Sequence, residues 1–123
     1  MSAEKDLPGS LQNQHCVELK KGTPALDDAR IAELLPQLSG WTADPPPVGG
    51  PGGKRTLRKT FTFPDFVGSM AFLNKLAAVA EAEQHHPDFS VQYNRVDVSS
   101  WTHTVGGLSQ NDFILAAKLD SLF

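Results

Sequence analysis

The hydrophobic pattern changes its period at Pro64 and Asp65, and this change constrains the fold more than any other feature of the chain. Before it, residues 55–63 (RTLRKTFTF) alternate apolar and polar side chains, which predicts a half-buried strand broken only by Lys59. After it, residues 66–84 carry apolar side chains at helical spacing, and Asp65 is a suitable cap for that helix. A strand therefore leads almost directly into a long helix.

The long helix carries more apolar surface than one face of a small sheet can cover. Its apolar side chains form two neighbouring stripes, one of Phe66, Met70, Leu73, Ala77 and Ala80 and the other of Phe72, Leu76 and Val79. Because so wide an apolar arc needs a second covering surface, we expect a symmetric homo-oligomer, a homotetramer or a homodimer.

The remaining periodic segments complete an alternating order of elements. They are a capped helix within 27–38 that ends near Pro36, a short extended piece that begins at Trp41, strands at 89–93 and 96–103 joined by a turn at Asn94 and Arg95, and a last helix that Ser109 and Asp112 begin as a capping box. The order α-β-β-α-β-β-α, with hairpins, predicts an α+β fold. It should be a four-stranded antiparallel sheet with helices packed on one face.

The two irregular segments lie at the N-terminus and in the first hairpin. Residues 1–22 are polar without a sustained period, which predicts a mobile tail or a loosely docked arm before a single domain at 23–123. Residues 45–53 (PPPVGGPGG) cannot form a regular element and are expected to be a long hairpin loop.

Composition excludes several classes of function. At 123 residues the chain is one domain, and its net charge of −3 gives no reason to expect nucleic acid or an anionic membrane as a partner. No apolar run approaches the roughly 20 residues of a membrane span, and the first residues lack the shape of a signal peptide. The single cysteine, Cys16, suits a reducing compartment, so we expect a cytoplasmic protein.

Three of the four histidines are candidates for a common site. His85 and His86 are adjacent at the expected end of the long helix, with Glu81 one helical turn before His85, and His103 stands at the expected end of the last strand. Imidazoles that converge beside a carboxylate could both give and take protons near neutral pH. Histidines at a helix end can also simply favour the negative end of the helix dipole. A zinc site is the third alternative, although HExxH and paired cysteines are absent from the sequence.

The spacing of these residues resembles the signature of the pterin-4a-carbinolamine dehydratases. The matching positions are Glu81, His85-His86-Pro87, Tyr93, His103 and Asp112, and the resemblance extends over residues 26–123. It includes Trp41, the F-x-F strand at 61–63 and the run THTVGGLSQNDFILAAKLD at the C-terminus.

The resemblance implies a hydro-lyase of the 4a-hydroxytetrahydrobiopterin dehydratase type. Such an enzyme removes water from a 4a-hydroxytetrahydropterin to give the quinonoid dihydropterin, and it recycles the pterin cofactor of aromatic amino acid hydroxylases. Its chemistry transfers protons and no electrons, so no cofactor and no metal are expected.

The resemblance also assigns roles to residues. It implies that His85, His86 and His103 form the catalytic set, with His85 and His103 as acid and base. Glu81, His86 and Trp41 would bind the substrate, with Trp41 at the rim of the site. We expect Asp112 mainly to cap the last helix and Tyr93 to be a packed strand aromatic.

A second class of function stays open. Animal members of the family also bind a homeodomain transcription factor and stabilise its dimer, so the chain could be a protein-binding module that acts as a coactivator or dimerisation factor. A third alternative is action on another pterin or as an assembly factor. The polar N-terminus and the PPPVGGPGG loop depart from the common pattern of the family.

Overall fold

The computed structural model describes residues 10–44 and 55–123. The predicted loop at 45–53 and the first nine residues lie outside this part of the chain. The helices and strands are, in chain order, α1 (Asp28–Leu34), β1 (Thr42–Asp44), β2 (Thr56–Thr62), α2 (Phe66–Glu83), β3 (Asp88–Gln92), β4 (Arg95–Ser100) and α3 (Gln110–Asp120). Short 3-10 turns lie at Leu11–Asn13, Leu35–Gln37 and His103–Val105.

The four strands form one antiparallel sheet in the order β1-β2-β4-β3. The central pair is β2 and β4, in which Phe61 lies opposite Val96 and Leu57 opposite Ser100. One face of the sheet is buried by the helices, whereas Arg58 and Thr60 on the other face are exposed. The predicted α+β class, the order of elements and the antiparallel sheet are confirmed.

The lysine that interrupts the apolar side of β2 is paired with an acidic side chain. Lys59 does lie on the inward face between Leu57 and Phe61, and its ammonium contacts the carboxylate of Asp120 at 2.7 Å. Both charged side chains are largely buried, at 14% and 9% exposure. The ammonium also lies 4.6 Å from the centre of the Phe61 ring, so a paired charge takes the place of an apolar residue at the edge of the core.

Helix α2 begins where the period changes, because the Asp65 side chain accepts a hydrogen bond from the Gly68 N–H at 2.8 Å. Its buried residues are Ser69, Phe72, Leu73, Leu76 and Ala80. The predicted first stripe is therefore wrong as a single face. Its members Leu73 and Ala80 point into the core, whereas Phe66, Met70 and Ala77 are exposed.

An apolar surface remains uncovered on α2. Phe66, Val67 and Met70 are 49%, 74% and 39% exposed, and we call this surface the outer face of α2. Clustered apolar side chains that are exposed in one protomer are usually covered by another surface, which is the reason for predicting an oligomer. The oligomeric state itself stays a prediction.

The β3–β4 hairpin differs from the prediction by one position. Gln92 pairs with Arg95, so the turn consists of Tyr93 and Asn94, and Tyr93 takes a positive φ of 48°. Tyr93 is 65% exposed at this turn and is not a packed strand aromatic. Strand β4 ends at Ser100 and not at His103, because the chain enters a 3-10 turn there.

The N-terminal segment is docked along α3 in the described residues. Leu11 is only 4% exposed within the hydrophobic core, and the Val17 N–H and carbonyl both bond to the side-chain amide of Asn111, at 3.0 and 2.8 Å. Residues 10–17 therefore form a docked arm.

Candidate functional site

Helix α2 ends at Glu83, just before Gln84 and the two histidines. Gln84 takes a left-handed conformation with φ 52° and ψ 40°. The Gln84 N–H then bonds to the Glu81 carbonyl at 3.3 Å and the His85 N–H to the Ala80 carbonyl at 3.2 Å. This pair of hydrogen bonds is a Schellman motif, which turns the chain sharply away from the helix axis.

The turn gives Glu81 a different partner from the predicted one. Residues Glu81 and His85 would share a face only if the helix continued, and it does not. Glu81 instead contacts His86, with 2.5 Å between its carboxylate oxygen and Nε2. Both side chains are open to solvent, at 72% and 55% exposure, so this pair can meet a ligand.

His85 points inward and contacts Asp112 at the start of α3. Its Nε2 lies 2.7 Å from the Asp112 carboxylate, and its side chain is 12% exposed whereas that of Asp112 is completely buried. Because an ionised carboxylate only accepts hydrogen bonds, Nε2 carries the proton that is shared between the two groups. In the described part of the chain, no group bonds to Nδ1, which is left with its lone pair.

Four donors surround the carboxylate of Asp112. Besides His85, these are the Ser100 hydroxyl at 2.6 Å, the Thr102 hydroxyl at 2.7 Å and the Ser109 N–H at 2.9 Å. A buried carboxylate is stable only when its acceptor sites are filled in this way. Asp112 therefore completes the predicted capping box of α3 and also holds a histidine.

Strand periodicity brings the two hydroxyls to the carboxylate. Val96 and Val98 point into the core, and Ser100 continues the same inward side at the point where the strand reaches α3. Thr102 follows with the same spacing, and its hydroxyl also contacts the Ser109 hydroxyl at 2.7 Å. The capping-box spacing indicated Asp112, but Ser100 and Thr102 were not singled out from the sequence. Their polar side chains, which continue the apolar side of β4, were a signal for buried hydrogen bonds.

His103 lies next to this network, on the residue after Thr102. Its ring stacks on that of Trp101, with 3.7 Å between the centroids and 18° between the planes. His103 is exposed. The network of Asp112 thus connects the segment that carries His103 with the turn that carries His85, and His86 is the next residue of that turn.

Trp41, a predicted substrate-binding residue, contacts the core and the C-terminal end of α3. The indole is 5% exposed and packs edge-on against Phe61, with 6.0 Å between the ring centroids. Its Nε1 donates a hydrogen bond of 2.9 Å to Asp120. Asp120 lies at the opposite end of α3 from Asp112. The tryptophan therefore packs in the core, where it shares Asp120 with Lys59.

Glu83, the last residue of α2, is a second buried acid near the site that the sequence did not single out. Burial acts to raise the pKa of Glu83. The hydrogen bonds from the Cys16 N–H and His15 and the charge of Lys118 outweigh burial, so that this pKa lies below its usual value. The carboxylate of Glu83 thus prefers its charged form in the folded protein.

Within residues 10–44 and 55–123, no group of three or more histidine, cysteine or acidic side chains could hold a metal ion. The predicted absence of a metal stays a prediction. The helices in the same ranges include none that is long and apolar enough to span a membrane.

Comparison of the sequence with protein families gives a match over most of the chain. The sequence model of the family described as "Pterin 4 alpha carbinolamine dehydratase" matches residues 24–122. Proteins of Xanthomonas oryzae pv. oryzae and Stenotrophomonas maltophilia are each 46% identical, over 113 and 112 residues, which cover 92% and 91% of this chain and 90% of each relative. Both are named "Putative pterin-4-alpha-carbinolamine dehydratase".

Two solved structures are similar in fold. A "transcriptional coactivator/pterin dehydratase" from Brucella melitensis superimposes with a TM-score of 0.68 at 31% identity, covering 80% of this chain and 97% of that one. A pterin dehydratase-like protein identified as a RuBisCO assembly factor in the alpha-carboxysome gives a TM-score of 0.55 at 25% identity, covering 68% and 89%.

Proposed function

Because this chain belongs to the pterin 4 alpha carbinolamine dehydratase family, we propose that it removes water from a 4a-hydroxytetrahydropterin by histidine acid–base catalysis. In this reaction the C4a–O bond breaks, N5 loses its proton, and a double bond forms between C4a and N5. The oxygen leaves as water after it is protonated, so the protein needs one proton donor and one proton acceptor and no cofactor.

The hydrogen bond between His85 and Asp112 is the observation that carries the proposal. With its Nε2 proton engaged by the carboxylate, His85 presents the lone pair of Nδ1 as a base. When Nδ1 takes the N5 proton, the imidazole becomes positive. The buried charge of Asp112 stabilises that cation at a distance of 2.7 Å.

We assign the role of acid to His103. Its ring is exposed, so it can regain a proton from water after each turnover. Stacking on Trp101 limits the rotation of the ring and presents its edge in a fixed direction. A proton delivered to the 4a-hydroxyl makes it a better leaving group. The lone pair of N5 then expels it as water.

His86 and Glu81 are assigned to substrate binding. They contact each other at 2.5 Å on the solvent side of the α2 turn, next to His85 in the chain. The pterin ring carries amide and amino groups that can donate to a carboxylate and accept from an imidazole. The contacts of Trp41 with Phe61 and Asp120 favour a packing role, and we do not include it in the binding set.

The protein is further proposed to act as a homo-oligomer in the reducing cytoplasm, serving tetrahydrobiopterin recycling. The exposed outer face of α2 supports the oligomer, and the single cysteine supports the compartment. A coactivator or dimerisation module, the second class of function, would use that helix face and would not need the histidines.

A stopped-flow assay with freshly generated 4a-hydroxytetrahydropterin tests the proposal. We expect wild-type protein to accelerate dehydration over buffer, before and after treatment with a chelator. No acceleration by wild-type protein would refute the enzymatic function and leave the binding module. Loss of activity on chelation, restored by zinc, would refute the metal-free mechanism.

A further inference from the structure

The arm formed by residues 10–17 joins the two helix ends that carry the site. It precedes the residues that the family model matches, which begin at 24. On α3 it holds Asn111 by two hydrogen bonds to the Val17 backbone, and Lys118 donates to the Gln12 carbonyl at 2.9 Å. Leu11 fixes the start of the arm in the core.

The other anchor of the arm is Glu83. Its carboxylate accepts from the Cys16 N–H at 2.7 Å and contacts Nδ1 of His15 at 2.9 Å. The ammonium of Lys118 lies 3.6 Å away, and only 6% of the Glu83 side chain is exposed. A charged side chain that is this well buried and this well paired fixes the end of α2 firmly.

The two anchors stand immediately before the two halves of the site. Glu83 is two residues before His85, and Asn111 is the residue before Asp112. We propose that the arm is a strap that holds His85 against Asp112, with Glu83 as its central positioning residue. The effect of the strap on catalysis rests on the proposed function, whereas its effect on the position of His85 does not.

His85 is the half of the pair that needs such support. Three other donors fix the carboxylate of Asp112, namely Ser100, Thr102 and Ser109. The backbone at His85 is held by the turn at Gln84, whose left-handed conformation is unfavourable for a residue with a side chain. Without the strap, the turn can open and the imidazole can leave the carboxylate.

The imidazole N–H proton of His85 gives a direct readout by NMR, because a proton bonded to a buried carboxylate exchanges slowly and resonates far downfield. His85→Gln identifies the signal by its loss. In Glu83→Ala we expect the signal to broaden or vanish and kcat to fall about 10–100-fold, since small misplacements of a catalytic group have effects of this size. KM should change by a smaller factor than kcat, because Glu81 lies on α2 before the turn, although His86 follows it.

A conservative variant and a surface control separate positioning from general damage. Glu83→Gln keeps an oxygen that accepts from the Cys16 N–H, so it should recover most of the signal and of kcat. Glu18→Ala, exposed beyond the docked part of the arm, should behave as wild type. Leu11→Ser removes the apolar anchor of the arm and leaves the sequence of α2 and α3 unchanged, and it should lose the His85 signal as Glu83→Ala does.

The results distinguish this inference from the proposed function. If folded Glu83→Ala or Leu11→Ser retains both the His85 signal and kcat, the arm is not a strap. If wild-type protein has no dehydratase activity, the enzymatic proposal is wrong, and the NMR signal alone decides whether the arm positions His85.

Discussion

The carboxylate of Asp112 accepts a hydrogen bond from His85 at 2.7 Å and at the same time caps helix α3 through the Ser109 N–H. One buried side chain thus serves both the helix and the histidine. The stability of α3 and the geometry of the candidate base depend on the same group, so they should respond together to its substitution.

Asp112→Asn should lower both stability and activity. The amide replaces one acceptor oxygen by an NH₂ donor that faces other donors, and an unsatisfied buried polar group costs about 1–3 kcal/mol. The uncharged amide also cannot stabilise the His85 imidazolium, so the dehydration rate should fall about 10²–10⁴-fold. Urea denaturation and stopped-flow kinetics on one preparation measure both effects.

Asp65→Ala is the matched control, because Asp65 caps α2 at the end remote from the histidines and alanine removes that cap. It should cost stability and leave the rate unchanged. If Asp112→Asn loses stability but keeps a normal rate, Asp112 is a cap alone.

Substitution of His86 should affect binding more than chemistry. His86→Ala removes an exposed group that we place against the substrate, so KM should rise while kcat stays within a few fold of wild type. The free energy of unfolding should change by less than about 1 kcal/mol, because exposed ion pairs contribute little. A fall in kcat as large as that of a His85 variant would show that His86 takes part in proton transfer.

Hydrophobic period was sufficient to predict the fold. The alternation in β2, the longer period in α2 and the hairpin signals each depend on local sequence, and the antiparallel sheet follows from their order. The hairpin of β3 and β4 was misplaced by one position, because the turn puts Tyr93 and not a glycine or asparagine at positive φ.

The pairings of the candidate site residues could not be predicted from the sequence. The partner of Glu81 depended on where α2 ends, and a left-handed glutamine at Gln84 is not a common stop signal. The buried position of Trp41 and the docking of the arm depend on contacts between residues about 80–100 positions apart, which periodicity does not report.

The stability of the protein should depend on the charge of Glu83. Its pKa is lower in the folded protein than in the unfolded chain, so the unfolded chain takes up the proton first as the pH falls. The contribution is therefore complete above the unfolded pKa of about 4.3 and is lost below it, as the pH falls through the folded value.

The free energy of unfolding of wild-type protein and Glu83→Gln, measured from pH 3 to pH 7, checks this dependence. The wild-type advantage should be greatest above about pH 5 and shrink toward pH 3. A difference that does not vary with pH would contradict the account of Glu83. His15 and Lys118 face the same carboxylate.

Assembly should depend on the outer face of α2. Light scattering should give a mass of two or four times the 13.3 kDa of the chain. Val67→Glu, at a position that is 74% exposed, should shift the protein toward the monomer without unfolding it. Ala32→Glu on the exposed side of α1 adds the same charge elsewhere and should not. A wild-type mass near 13.3 kDa at micromolar concentration would refute the oligomer.

The central claim is that His85, held by Asp112, is the base of a dehydratase. The most direct measurement is the stopped-flow rate of 4a-hydroxytetrahydropterin dehydration by His85→Gln, compared with wild-type protein and with buffer. The account predicts that kcat falls at least about 100-fold while the protein stays folded. A folded variant with a rate within about threefold of wild type, a difference of less than about 1 kcal/mol in activation free energy, would contradict it.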